Sequence, residues 1–295
     1  MGIGGQAGII YRTLDVLKAF YIERCSQRPT TRVMSYYRIW TYGNSYIICK
    51  TFVYMELSII IPTHNEKDNA PLLMYLISEV LKAVQYEIII VDDGSSDGTS
   101  AACTAIADKL GITAQVLTRK EKLGLGNAYK RGLEHASGDY VVILDSDLSH
   151  DPREILRLLK KIKETRAGVV IGSRYTGEGG TCNWPFSRKM TSQGANILAY
   201  IFTGKRNSDM TNSYRIYKRD VINYAIRNVK AQGFAYQMEI LYHCHQKIDE
   251  IPICFYERLS GYSKLSGKEY AQFLRWGCTL LAMRARDFVQ KAVYI

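Results

Sequence analysis

Glu87-Ile-Ile-Ile-Val-Asp-Asp-Gly-Ser-Ser96 is the stretch on which the fold turns. An unbroken run of β-branched residues, with no polar alternation, reads as a strand buried on both faces. The Asp-Asp-Gly-Ser-Ser that ends it is turn chemistry. The same plan recurs on either side. Leu57-Ser-Ile-Ile-Ile61 is an apolar run stopped by Pro62, and Tyr140-Val-Val-Ile-Leu144 runs into Asp145-Ser-Asp147. Ala114–Leu117 and Gly168–Gly172 read as two further strands. Between them lie helical patterns: Leu73, Ile77, Val80 and Val84 behind Pro71, residues 97–110, residues 125–136, and Ile155, Leu158, Leu159 and Ile162. Strands alternating with helices imply right-handed crossovers and a mostly parallel α/β sheet flanked by helices. Beyond about residue 173 the alternation loosens. A glycine-rich loop (177–181), a helix (189–203), a strand (213–217), a helix (234–246), a strand (249–256) and a final helix (268–290) are predicted there.

The 295 residues are 47% hydrophobic and 23% charged, which excludes disorder over the whole length. The longest run without a charged residue, 190–204, is too short and too polar to span a bilayer, which excludes a polytopic membrane protein. Seven cysteines, an odd number with no Cys-x-x-Cys pair, fit a reducing compartment better than a disulfide or zinc scaffold. The net charge of +11 is uneven, because residues 1–54 hold seven Lys/Arg against two Asp/Glu. That segment shows no clear period and no signal-peptide form. We read 1–54 as an N-terminal extension, poorly ordered or folded as an added element, and 55–295 as one domain with Met55 a candidate start. The basic residues are dispersed, with no recognition helix or RNA-binding signature, so nucleic acid is not the expected partner. Phosphate-bearing small molecules or a membrane surface fit better.

In such a sheet, ligands bind at the carboxyl ends of the strands. The polar clusters stand there, after residues 61, 91 and 144. Asp145 and Asp147 place two hard oxygen donors together, suited to Mg²⁺ or Mn²⁺ bridging a nucleotide diphosphate. Ser149 is a candidate further ligand, and His150 a surface or supporting residue. Asp92 and Asp93 read either as a helix-capping turn, with Ser96 or Asp97 as cap, or with Asp93 accepting hydrogen bonds from a base or ribose. Glu66 lies at the same edge, at a helix start. Lys122-Leu-Gly-Leu-Gly126 lacks the spacing of a phosphate-cradling loop and suits close helix packing. Arg174, Arg188, Arg215, Arg258 and Lys264 supply positive charge. Singly, each reads as solvated surface, but Arg258 and Lys264 flank Ser260-Gly-Tyr-Ser263, a polar loop suited to a second phosphate.

Pro62-Thr-His-Asn-Glu66, Val91-Asp-Asp-Gly-Ser95 with Asp97-Gly-Thr99, and Lys122-Leu-Gly-Leu-Gly126 resemble the family-2 glycosyltransferases of the Rossmann-like GT-A fold. Asp145-Ser-Asp-Leu-Ser-His150, Gly172-Ser-Arg-Tyr175, Gly194-Ala-Asn196, Phe234–Glu239, Glu250-Ile-Pro252, and Arg258 with Gly261–Leu265 are similar, more narrowly, to the dolichol-phosphate mannosyltransferases. The resemblance covers about 57–283. It implies transfer of mannose from GDP-mannose to dolichyl phosphate with inversion, at the cytosolic face of the endoplasmic reticulum membrane. It assigns the nucleotide sugar to Pro62, His64, Glu66, Val91, Asp93, Asp145, Ser146 and Arg174, and the metal to Asp145, Asp147 and Ser149. It assigns the acceptor phosphate to Arg188, Arg258 and Lys264, and catalysis to Asp147, Arg174, Arg258 and Lys264. His64 stands where many relatives have Tyr, and Ser149 where some have Gln.

Some relatives carry C-terminal membrane helices. This chain reaches Ile295 without one, so the resemblance implies small membrane-anchoring subunits. In the last helix Tyr270, Phe273, Leu274, Leu281 and Phe288 form an apolar set that either packs on the core or rests on the bilayer. Two other readings remain: a dolichyl-phosphate glucosyltransferase using UDP-glucose, which has the same strand-end motifs, and a non-catalytic nucleotide-binding membrane scaffold. The lack of an N-terminal anchor favours mannose over glucose.

Overall fold

A computed structural model of the protein describes residues 33–42, 45–120, 124–231, 233, 235–257 and 267–293. The chain divides into two compact units, Met1–Tyr54 and Met55–Ile295. In the first, β1 (Val33–Tyr42) and β2 (Ser45–Tyr54) pair antiparallel along their whole length, from Val33 opposite Tyr54 to Tyr42 opposite Ser45. The sequence shows no period there because both strands are rich in aromatic and β-branched residues at successive positions. High strand propensity is present without the alternation that reveals a half-buried strand.

The second unit is built on a seven-stranded sheet, ordered β10-β7-β9-β6-β3-β4-β5. Its strands are β3 (Leu57–Thr63), β4 (Tyr86–Asp92), β5 (Ala114–Thr118), β6 (Tyr140–Ile143), β7 (Val169–Ser173), β9 (Arg215–Lys218) and β10 (Ile248–Pro252). All pair parallel except β9, which lies antiparallel between β6 and β7. A small parallel pair, β8 (Gly180–Thr181) with β11 (Cys254–Phe255), stands outside the sheet.

Helices cover both faces, which is why the runs Ile59–Ile61, Ile88–Val91 and Val141–Ile143 are apolar without alternation. On one face Leu57, Ile59, Ile61, Ile88 and Ile90 pack against α1 (Asn69–Val80), α2 (Thr99–Leu110) and α4 (Glu154–Thr165). On the other, Ile60, Ile89, Val91, Val141 and Ile143 pack against α3 (Leu125–His135), α5 (Phe186–Thr203), α6 (Arg219–Asn228), α7 (Ala235–His243) and α8 (Gly267–Val293). Every one of these strand residues is fully buried, and each contributes about 1.5–3 kcal/mol.

The mostly parallel α/β sheet flanked by helices agrees with the sequence reading. Three details differ. α1 stops at Val80, so Val84 lies beyond it on a turn. α6 has no counterpart in the sequence reading, although Val221, Ile222, Ala225 and Ile226 supply its buried face. The predicted strand 249–256 is two pieces, β10 and β11, in different sheets.

Candidate active site

β6, β3 and β4 are neighbours running the same way, so the segments after Ile143, Thr63 and Asp92 emerge side by side. The chain leaves β3 towards β4 and β5, then returns to β6 on the other side. The strand order therefore reverses at this edge, the place where open α/β sheets bind ligands.

The loops after β3 and β4 are tied together. The Asp93 amide donates to the Thr63 carbonyl at 2.9 Å. His64 Nδ1 donates to the Asp93 carbonyl at 3.0 Å, which places the ring hydrogen on Nδ1. The Asn65 amide donates to Ser95 Oγ at 2.8 Å, and the Ser96 amide to Asn65 Oδ1 at 3.0 Å. The Glu66 amide donates to Thr99 Oγ1 at 3.0 Å, and Glu66 Oε2 accepts from Asn69 Nδ2 at 2.7 Å at the start of α1. Gly94 takes φ +72°, and a Cβ there would lie 3.3 Å from the carbonyl oxygens of Arg119 and Lys120. The turn therefore calls for glycine on both grounds.

The two aspartates separate in role. Asp92 is turn chemistry: Oδ1 accepts from the Ser95 amide and hydroxyl, and Oδ2 from Ser100. Asp97 caps the next turn, accepting from the Thr99 amide and hydroxyl. Asp93 is bound instead by Arg119, whose Nε donates to Oδ1 at 2.6 Å and whose Nη2 donates to the same oxygen. Both side chains are 9% exposed. Arg119, just past β5, is thus a functional candidate that the sequence reading missed. Pro62, expected to stop its strand, lies within β3, which runs on to Thr63; it is partly buried, whereas Val91 has no exposed surface and supports the edge from the core.

After β6 the chain carries Asp145, Ser146 and Asp147. Ser213 donates to Asp145 Oδ2 at 2.7 Å, and the Ser149 amide donates to Asp147 Oδ1 at 3.1 Å. Ser146, Asp147 and Ser149 are buried, with no more than 9% of any exposed, and Asp145 is half-buried. Leu148 takes a left-handed φ of +61°, a conformation that costs a non-glycine residue about 1 kcal/mol or more. Such strain concentrates where a loop must present groups in one geometry. Among the described residues no three His, Cys, Asp or Glu side chains cluster as a metal cage. Two carboxylates with hydroxyl neighbours do fit a hard divalent cation whose remaining ligands are substrate phosphates and water, the manner in which Mg²⁺ is held. Asp145 and Asp147 would hold it.

The basic residues are placed differently from one another. Arg174, expected to face the diphosphate, is 7% exposed and is the counter-ion of a fully buried Asp209. Its Nε and Nη2 each donate to that carboxylate at 2.7 Å, its backbone amide donates at 3.0 Å, and Nη2 also reaches Thr211. Burial works to raise the pKa of Asp209, but the Arg174 charge and hydrogen bonds prevail and hold the carboxyl below its usual range. Arg174 is therefore built into the frame of the site rather than left as an open cation. Trp184 links it to Arg188: the Arg174 guanidinium lies 5.4 Å from the Trp184 ring and that of Arg188 3.9 Å from it. Arg188 also approaches Glu257 at 3.7 Å.

Two sequence expectations are corrected. Arg215, read as solvated surface, is fully buried and donates to the carbonyls of Gln237 and Met210 at 2.7 Å each. His150, read as a surface or supporting residue, is 1% exposed, so its surface reading fails. Arg258, Lys264, Lys122 and Leu123 lie outside the described residues. The acidic and amide side chains of the polar run Asn207–Ser213, Asp209 and Asn212 above all, also escaped the sequence reading. Their density between a helix and a strand was the available signal.

The geometry can be set against known proteins. The chain is 37% identical over 224 residues to the dolichol-phosphate mannosyltransferase of Pyrococcus furiosus, covering 75% of this chain and 62% of that protein's length. It is 34% identical over 247 residues to the polyprenol monophosphomannose synthase of Mycolicibacterium smegmatis, covering 79% of this chain and 91% of that one. In fold it is similar to the glucosyl-3-phosphoglycerate synthase of Mycobacterium tuberculosis, with a TM-score of 0.56 and 20% identity over 78% of this chain and 80% of that one. The same synthase in complex with Mn²⁺, uridine diphosphate and phosphoglyceric acid gives a TM-score of 0.55. The family described as glycosyl transferase family 2 matches residues 58–225, a span that opens on β3 and contains all three acidic strand ends. The reversal of strand order and the carboxylates along it thus have their explanation in descent: the chain belongs to glycosyltransferase family 2.

Proposed function

We propose that the protein transfers mannose from GDP-mannose to dolichyl phosphate, or a closely similar polyprenyl phosphate, with inversion at the sugar carbon. The observation that carries this reading is the meeting of the Asp145–Asp147 loop with the His64–Asp93 edge, in a chain aligned over 79% of its length with a polyprenol monophosphomannose synthase.

In this reading the Asp93 carboxylate, held by Arg119, and the edge formed by Pro62, His64 and Glu66 take the nucleoside. Asp145 and Asp147, with Ser149 and Ser146 beside them, take the diphosphate together with Mg²⁺ or Mn²⁺. An ion held by Asp145 and Asp147 would supply positive charge to offset that of the departing diphosphate. Arg188, Arg258 and Lys264 receive the acceptor phosphate, and Arg174 holds the wall between the two by its pair with Asp209. A phosphate monoester is largely dianionic at neutral pH, so the acceptor oxygen needs no strong base. Catalysis rests on alignment and on electrostatic stabilisation of the leaving group.

No helix among the described residues is long and apolar enough to cross a membrane. α5 exposes Phe186, Met190, Ile197, Tyr200 and Ile201, and α8 exposes Tyr270, Leu274, Leu281 and Val289. The apolar set predicted on α8 therefore divides: Phe273 is 7% exposed and packs on Phe202, Tyr270, Leu274 and Leu281 face outward, and the Phe288 side chain lies outside the described residues. These exposed stripes support resting on a lipid surface, with small membrane subunits as anchors at the cytosolic face of the endoplasmic reticulum.

The test is transfer of label from GDP-mannose and from UDP-glucose to a short-chain dolichyl phosphate, compared side by side. Label from GDP-mannose alone is the expected result. Transfer only from UDP-glucose would replace the donor, and metal-independent GDP binding without any transfer would favour a non-catalytic scaffold.

A further inference from the structure

We infer that His150 is a positioning residue that couples the carboxylate loop to the Arg174–Asp209 frame of the site; this rests on the functional reading above. His150 follows the metal-holding loop directly, yet its ring is buried in a different set of elements. It lies 4.7 Å from the Tyr214 ring and meets the Phe255 ring edge-on at 5.1 Å. Its Nε2 lies 3.0 Å from Asn212 Oδ1. Asn212 Nδ2 donates to the Gly172 carbonyl at 2.6 Å, so Oδ1 is the atom turned to the imidazole and His150 Nε2 must be the donor.

Asn212 is a junction. Its side chain holds Gly172, two residues before Arg174, and its backbone amide donates to Asp209 Oδ1 at 3.2 Å. The hydrogen bond from His150 therefore joins the Asp145–Ser149 loop to the Arg174–Asp209 pair. On the other side, His150 forms an isolated antiparallel bridge with Phe255, and the Tyr256 amide donates to the Ser149 carbonyl at 3.0 Å. Two residues beyond Tyr256 the chain enters the segment that carries Arg258 and Lys264. His150 thus continues the loop assigned to the donor through its own backbone, while its imidazole reaches Asn212 in the frame around Arg174 and Phe255 in β11.

A second observation separates this from ordinary packing. His150 Nδ1 is buried and has no hydrogen-bond partner among the described residues. An orphaned buried acceptor is a cost to the fold. A phenylalanine would keep the aromatic contacts and remove that cost. What it would lack is the Nε2 hydrogen bond to Asn212.

The test compares His150→Phe and His150→Gln with the parent chain. Phenylalanine keeps a ring between Tyr214 and Phe255, while the glutamine amide restores a donor near the Nε2 position. Turnover and the KM of each substrate are measured with GDP-mannose and short-chain dolichyl phosphate, beside GDP affinity in Mn²⁺ and the melting temperature. The coupling predicts that His150→Phe keeps its melting temperature and binds GDP within about twofold of the parent. It also predicts that His150→Phe loses tenfold or more in kcat, and that His150→Gln recovers most of the lost turnover. Normal kcat in His150→Phe would overturn it. So would GDP affinity falling in parallel with kcat, or a melting-temperature loss that glutamine fails to separate from the activity loss. A parent chain active only with UDP-glucose would overturn the donor assignment alone, and the same comparison on that donor would then decide the coupling.

Discussion

Asp209→Ala should be among the most damaging single substitutions in the catalytic unit, although no sequence motif singles out that residue. Asp209 is fully buried and balances Arg174, itself 7% exposed, through two side-chain hydrogen bonds at 2.7 Å. Removing one partner of a buried pair leaves an uncompensated charge and costs about 3–5 kcal/mol. In a domain of this size each kcal/mol moves the melting temperature by about 2–4 °C, so a fall of roughly 6–20 °C is expected. Arg174→Met with Asp209→Leu should recover much of the loss, because neither charge is then stranded. The pH dependence follows from the lowered folded-state pKa of Asp209. Its contribution is complete above the unfolded value of about 4 and is lost as pH falls through the lower folded value, so the variant's deficit should shrink in acid. Thermal unfolding of parent, single and double variants between neutral and acid pH is the assay. If Arg174→Met raised the KM for GDP-mannose with no loss of stability, Arg174 would be an open substrate cation and the structural role argued here would be wrong.

Three other outcomes follow from the same geometry. Arg119→Met strands the Asp93 carboxylate and should weaken GDP binding at least tenfold, about 1.4 kcal/mol, by calorimetry; an unchanged Kd would remove the pair from the nucleotide site. Gly277→Ala places a Cβ 2.1 Å from the Phe202 ring, where α8 meets α5. The overpacking cost of about 1–3 kcal/mol should exceed the gain of about 1 kcal/mol in helix propensity, and a raised melting temperature would contradict that contact. Deleting residues 1–54 should leave transfer to a short-chain acceptor intact, and a truncated chain that fails to fold would show that the first unit is required by the second.

The legible parts of this sequence were those with uniform chemistry over several residues. Ile59–Ile61 and Ile88–Val91 are apolar at every position because helices cover both faces of the sheet, and this pattern survives any detail of packing. The carboxylates after those strands were legible for the same reason, since a polar cluster following a buried strand has one edge to occupy. What escaped depends on partners remote in sequence. Arg215 reads as surface until Gln237 and Met210 offer it two carbonyls, and Arg174 reads as a phosphate ligand until Asp209 takes it. Arg119 and Asn212 carry no motif and act only because Asp93 and His150 arrive beside them. The antiparallel direction of β9 was equally hidden, because a strand as short as Arg215–Lys218 carries no mark of its direction.

Whether the Asp145–Asp147 loop is where a sugar nucleotide reacts with a lipid phosphate can be decided by one comparison. Labelled GDP-mannose and a short-chain dolichyl phosphate are incubated in saturating Mn²⁺ with the parent chain and with Asp147→Ala, and product and melting temperature are measured together. Asp147 is 9% exposed just past a strand end, and its carboxylate accepts from the Ser149 amide two residues on at 3.1 Å. Label should enter the lipid fraction with the parent chain and not with Asp147→Ala, and the melting temperature should change by only a few degrees. Full activity in Asp147→Ala, or activity lost only in step with unfolding, would contradict that role of the loop.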